Sequence, residues 1–224
     1  MNSLMKKAVL IALSAVLVIL GAVMLGGKHY TLVSVLIAAV SCIGFAYAFE
    51  RRELTSRYAV LVAVMTALSI AGRFIFAPVP AFKPVTALVI LSGVYLSAEG
   101  GFLTGALTAL ISNMYFGHGA WTPFQMLAWG LIGLTAGVLS NQLKKNRPLL
   151  LLFGAIAGAM YSFVMDIWTV VWYSGSPETG LYKAAILSAI PFTIIYAVSN
   201  VVFLFLFAKS FGRKLSRAAT LIER

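Results

Sequence analysis

The sequence predicts an all-α integral membrane protein: a six-helix bundle preceded by an extra N-terminal two-helix hairpin, eight spanning helices with both termini cytoplasmic. Three observations carry this. Of 224 residues, 61% are hydrophobic and 10% charged, against roughly half and a quarter in soluble domains. The apolar residues fall into eight runs, each near the length of about 20 residues that crosses a bilayer. The net charge of +11 is concentrated in alternate short connections, as loops held at a cytoplasmic face would be. A basic excess on so apolar a chain argues against nucleic-acid binding. Cys42 is the single cysteine, so a disulfide framework and a multi-cysteine metal site are both excluded. The chain lacks the GxxxxGK[ST] phosphate loop, so any ATP-driven process needs another polypeptide. Nothing in the sequence asks for a cofactor.

The eight runs cover residues 8–26, 31–49, 58–76, 85–98, 101–116, 123–142, 149–173 and 186–208. The first follows Lys6-Lys7 but is long and lacks a small-x-small cleavage site, so it reads as an uncleaved helix. Glu50-Arg51-Arg52-Glu53 closes the first pair and marks the boundary between a hairpin, 1–50, and a core, 51–224. The break Ser97-Ala98-Glu99-Gly100-Gly101 makes the fourth and fifth runs a tight helical hairpin. With the N-terminus inside, thirteen of the 17 Lys and Arg lie on the cytoplasmic side and four (Lys28, Arg73, Lys83, Lys183) on the outer side. The basic run from Lys209 to Arg224 reads as an amphipathic tail at anionic headgroups or as a docking segment for a partner. The later outer loops are then 77–84, 117–122 and 174–184.

Residues that are costly in hydrocarbon need a reason to be there. Asp166 lies within the seventh run, with Ser162, Thr169 and Tyr173 near its stripe. Either a water-filled outer cavity or an interhelical pairing, with Arg73 for instance, would account for it. Arg73 ends the third run ahead of Pro78 and Pro80, which stiffen the following loop and project Phe82 and Lys83 from it. Both cations could instead snorkel to headgroups. Trp121, Gln125 and Trp129 recur at four-residue spacing after the loop Gly117-His118-Gly119, setting an amide between two indoles. That face suits a flat or amphiphilic organic ligand, and Trp168, Trp172, Tyr173 and Tyr182 gather at the same side. An interfacial aromatic belt is the plainer alternative. His118 reads as a loop residue rather than a metal ligand, since His29 is the one other histidine.

Small residues form stripes that permit close helix approach: Ala59, Ala63, Ala67 and Ala71 on the third run, Gly101, Gly105 and Ala109 on the fifth, Gly130, Gly133 and Gly137 on the sixth, Gly154 and Gly158 on the seventh. A stripe not used inside the bundle is a surface for a second membrane protein.

From about residue 58 to 208, the six helices, the alanine stripe, Pro84-Val85-Thr86-Ala87-Leu88, Glu99-Gly100-Gly101-Phe102-Leu103-Thr104-Gly105 and Gly119-Ala120-Trp121-Thr122-Pro123-Phe124-Gln125-Met126 resemble the S components of energy-coupling-factor (ECF) transporters. The resemblance implies a small bundle in a prokaryotic plasma membrane that captures a vitamin at the outer face. Its partners would be a transmembrane T component and two ATP-binding-cassette subunits. It assigns contact with the T component to Ala59, Ala63 and Ala67. Substrate binding falls to Arg73, Phe82, Lys83, His118, Trp121, Gln125, Asp166, Trp172 and Tyr173. Within the family, cobalamin or a corrinoid precursor is the first expectation for the substrate, then riboflavin or pantothenate. A solitary facilitator or channel would need a polar path to the inner face, for which Asn113, Ser199 and Asn200 are available. An intramembrane enzyme would pair Asp166 with His118, but no second deep carboxylate supports it, and no enzymatic activity is expected.

Overall fold

A computed structural model describes residues 56–119, 121–174 and 179–220. The expected hairpin at 1–50 and its boundary at Glu50-Arg51-Arg52-Glu53 lie outside these residues. The described chain is helical, without strands: α1 (Ser56–Ile75), α2 (Val85–Tyr95), α3 (Ala98–Phe116), α4 (Thr122–Val138), α5 (Ser140–Lys145), α6 (Arg147–Ser174) and α7 (Thr179–Thr220). Three of them, over Arg57–Ile75, Arg147–Val170 and Gly180–Ala218, are long and apolar enough to cross a membrane.

The centre of the bundle is α2. Its residues from Val85 to Val94 are all buried, so it is hydrophobic all round, as an internal helix must be. At 11 residues and 1.5 Å per residue it is about 16 Å long, half the hydrocarbon thickness. The fourth run is thus a short internal helix rather than a full span. The break after it is shorter than the sequence suggests. Ser97 takes an extended conformation as N-cap of α3 and its hydroxyl accepts from the Gly100 amide, so Glu99, Gly100 and Gly101 belong to the first helical turn. Tyr58 of α1 reaches the same Ser97 hydroxyl at 2.6 Å.

Glycines set the inter-helix spacing. A Cβ on Gly101 would lie 2.5 Å from the Gly133 carbonyl oxygen and 2.6 Å from the Gly93 Cα, and one on Gly105 2.6 Å from the Trp129 carbonyl oxygen. These are backbone-to-backbone crossings of α3 with α4 and α2, which only glycine permits. On α6, a Cβ at Gly158 would meet the Tyr196 carbonyl oxygen of α7 at 2.9 Å. These stripes close the bundle. The alanine stripe does not: Ala59, Ala63, Ala67 and Ala71 are exposed, beside exposed Val60, Val64 and Leu68, while Tyr58, Val62 and Met65 on the opposite face are buried.

Two expectations about loops change. The sixth run ends at Val138, and residues 140–145 form the separate α5. The expected outer loop 174–184 is helical from Thr179 onward, because α7 extends over 42 residues, about 63 Å, and takes in the start of the basic tail as well. Leu204, Ala208 and Leu215 are buried along one face of its C-terminal half, while Lys209, Arg213, Lys214 and Arg217 are exposed. That part of the tail is an amphipathic helix docked on the bundle by its apolar face, with its charges exposed.

Candidate ligand-binding site

At the end of the bundle away from α5 and the C-terminus of α7, the C-terminal ends of α1 and α3, the 77–84 loop and the N-terminal end of α4 surround a cavity of about 680 Å³, mouth included, that α6 and α7 complete. Arg73, Lys83, Phe116, Gln125, Trp129, Tyr161 and Tyr196 supply its chemistry, with Ala77, Ala81, Val85 and Thr86 between them.

The loop that carries Lys83 is held rigidly. Ser199 of α7 accepts from the Lys83 amide at 2.9 Å and donates to the Lys83 carbonyl at 3.0 Å. Ala81 has φ of 59°, a left-handed conformation that costs an alanine about 1 kcal/mol, and it is buried against the cavity. Phe82 turns the other way, into the core, with its ring centroid 5.1 Å from that of Phe203 and 6.0 Å from that of Phe76. It anchors the loop rather than lining the cavity. Burial, and secondarily the nearby Arg73 guanidinium, lower the Lys83 pKa from its ordinary value.

Arg73 does not snorkel away. Its Nη1 donates to Ser112 Oγ and, at 2.8 Å, to Asn113 Oδ1. The guanidinium carbon lies 4.6 Å from the Phe116 ring centroid and 5.4 Å from that of Trp129, within cation–π range. Asn113 then donates through Nδ2 to Thr122 Oγ1 at 3.0 Å and Gln125 Oε1 at 2.7 Å, and Gln125 Nε2 donates to the Tyr161 hydroxyl at 3.0 Å. Tyr161 stacks on Trp129, centroids 5.2 Å apart and planes 8° from parallel, and meets Tyr196 edge-on at 5.2 Å. A continuous polar network therefore runs from α1 through α3 and α4 to α6, flanked by aromatic rings.

Of the residues expected at the site, Arg73, Lys83 and Gln125 are brought together. Phe82, His118, Trp121, Asp166, Trp172 and Tyr173 do not line the cavity. Trp121 precedes α4 as its N-cap, and its ring folds back on the 117–119 loop so tightly that a Cβ on Gly119 would collide with it. The four-residue spacing with Gln125 and Trp129 thus stops being one face at the helix end. Trp121 joins a second aromatic group, against buried Phe124, Leu127 and Trp168. Trp172 lies tilted 35° against Trp168 with centroids 5.2 Å apart but is 57% exposed, and Tyr173 is 79% exposed, so both point outward from α6. His118 is an exposed loop residue whose Nδ1 lies 3.3 Å from Thr122 Oγ1. Asp166 is half-buried with its Oδ2 buried and unpartnered. It pairs with neither Arg73 nor His118. No group of three metal-ligating side chains occurs among the described residues.

Phe116, Tyr161 and Tyr196 were not singled out by sequence reasoning. A tyrosine within an apolar helix carries no periodic signal of its own. Partnered hydroxyls and amides in hydrocarbon were the available clue, and Asn113 did show it.

A second cavity, about 590 Å³, lies between α4 and α6 and is lined by apolar side chains such as Leu131, Phe153, Ile156 and Met160. Its Thr135 hydroxyl is already bonded to the Leu131 carbonyl at 2.7 Å, so it offers a ligand no polar recognition.

No curated protein and no solved structure matches the chain. Residues 53–216 match the family described as ECF-type riboflavin transporter, S component. The matched segment spans the whole helical bundle and the network around Arg73, and the chain belongs to this family of ECF transporter S components.

Proposed function

We propose that this chain is the substrate-capturing subunit of an ATP-driven importer in a prokaryotic plasma membrane, and that the cavity at Arg73 takes a flat, polar vitamin, riboflavin first. The observation that carries this reading is the chamber itself: aromatic walls at Trp129, Tyr161 and Phe116 beside a hydrogen-bonding network, the combination of apolar lining and a few convergent polar groups that small-ligand sites use. A tricyclic ring with a polyhydroxyl tail suits such a chamber, and riboflavin is the vitamin in the family's description. Cobalamin, the first expectation from the sequence, is a far bulkier molecule, and a chamber of this volume favours the smaller vitamin.

The T component would pack on Ala59, Ala63 and Ala67. Their exposure, when the other small-residue stripes are consumed inside the bundle, supports that assignment. A facilitator acting alone finds less support, because its candidate polar residues are already occupied: Asn200 donates to the Gly154 carbonyl at 3.0 Å, Ser199 holds Lys83, and Asn113 holds Arg73.

Calorimetric titration of the purified chain tests the reading. Riboflavin should bind one to one, with no ATP hydrolysis by the chain alone, and uptake into liposomes should require the T component and ATPases. Cobalamin binding in place of riboflavin would reverse the choice of substrate. Uptake by the chain alone would favour the facilitator.

A further inference from the structure

The described residues include two carboxylates, Glu99 and Asp166, and neither lines the cavity, whereas two cations do. Aromatic contacts offset part of the cost of holding a guanidinium there, but among the described residues no carboxylate lines the cavity beside it. Nη1 makes both of the Arg73 hydrogen bonds among the described residues, and Nη2 and Nε keep their protons unassigned. The Lys83 ammonium likewise has no hydrogen bond there, although its backbone is fixed on both sides by Ser199.

The polarity of the network follows from Arg73. A guanidinium can only donate, so Asn113 must present its oxygen to it and its NH₂ group to Gln125. Gln125 must then accept from Asn113 and donate onward to Tyr161. The Tyr161 oxygen is thereby an acceptor, and its own proton is left to donate. The amide oxygens of Asn113 and Gln125 are both engaged, and two guanidinium nitrogens, the Lys83 ammonium and the Tyr161 phenol keep protons to donate.

We propose that the cavity takes its vitamin preferentially in an acidic form, for a flavin the 5′-phosphate over riboflavin itself, with the carboxylate or phosphate ester docked on the unengaged side of the Arg73 guanidinium and Lys83 beside it. This rests on the reading of the cavity as the ligand chamber and deepens it. Carboxylates and phosphates match the guanidinium fork two oxygens to two nitrogens, and such a group relieves the mutual repulsion of the two cations. The aromatic wall takes the remainder of the ligand.

Matched neutral and acidic probes test this on the purified full chain: riboflavin against riboflavin 5′-phosphate, nicotinamide against nicotinate, and pantothenol against pantothenate. The acidic member of the pair that binds should be tighter by roughly tenfold to a hundredfold. Arg73→Gln should abolish that preference, read as the ratio of the two affinities, and Arg73→Lys should restore part of it. Should Arg73→Gln fail to fold, Lys83→Gln, which leaves the network intact, should still narrow the preference. Equal or tighter binding of every neutral member, or a preference unchanged by both Arg73→Gln and Lys83→Gln, overturns the proposal. Absence of binding by all three acids overturns it as well. Binding of riboflavin without preference for its phosphate would sink the oxyanion and leave the proposed vitamin standing. Binding of nicotinate or pantothenate alone would do the reverse.

Discussion

Gln125 closes the step between Asn113 and Tyr161, so Gln125→Leu leaves one N–H of the buried Asn113 amide facing methyl groups and a phenol without its donor. An orphaned buried group costs about 1–3 kcal/mol, and a lowered unfolding temperature in detergent should report it; an unchanged temperature would mean that water already bridges those groups. Lys83 makes a pH prediction. Burial and Arg73 hold its pKa below the ordinary lysine value, so it loses its proton earlier than a free lysine as pH rises. Affinity for an acidic ligand is therefore fully present below that lowered pKa and declines as pH rises through it. Tyr161 and Tyr196 face the same space, so the control is Lys83→Gln, which should flatten the profile in this range. Residue types in the sequence did point to Arg73, Lys83 and Gln125, because charge and amide groups in hydrocarbon need partners. They could not separate Trp129, which lines the cavity, from Trp121, which does not, since spacing of four residues implies a shared face only where both rings lie within the helix.

Elements meet where glycines let backbones touch. A Cβ on Gly133 would fall 2.9 Å from the Gly101 Cα, with the Gly101 carbonyl closer still. Backbone in a packed crossing cannot step aside without moving a helix. Gly133→Ala should therefore destabilise the bundle by about 1–3 kcal/mol. Gly180→Ala is the control: nothing lies within 4 Å of the added Cβ, and alanine is the better helix former by up to about 1 kcal/mol. Thermal unfolding of the two variants side by side would separate the packing role from propensity; equal behaviour would refute it. The stripes on Gly101, Gly105, Gly133 and Gly158 were visible as spacing. Which of them faced inward was not, because small residues permit an approach without choosing the partner. Nor does hydropathy mark where a helix stops: α7 runs through the expected loop at 179–184, past Pro191 and into the basic tail.

Across the whole molecule, the Arg73 cavity occupies one end, and the exposed face of α1 runs along the side. If that face receives the T component, Ala63→Trp should leave vitamin binding by the isolated chain unchanged and abolish ATP-driven uptake by the assembled transporter. Loss of both would show that the substitution unfolds α1, and loss of neither would place the contact elsewhere. The two surfaces share α1, since Arg73 lies 10 residues from Ala63 on the same helix, about 15 Å along its axis. A rotation of that helix on docking would displace the guanidinium at its end, which gives the partner a mechanical route to the chamber.

The membrane class, the helical content and the small-residue stripes were determined by the sequence alone, because each depends on local composition or on a helical period. Tertiary structure decided what lies opposite what. It buried α2 on every side, turned Phe82 into the core, sent Trp172 and Tyr173 outward, and joined Arg73, Asn113, Gln125 and Tyr161 from four helices into one network. A hydrogen bond between residues 40 positions apart has no period to announce it, and its partners become known only when the helices that carry them cross.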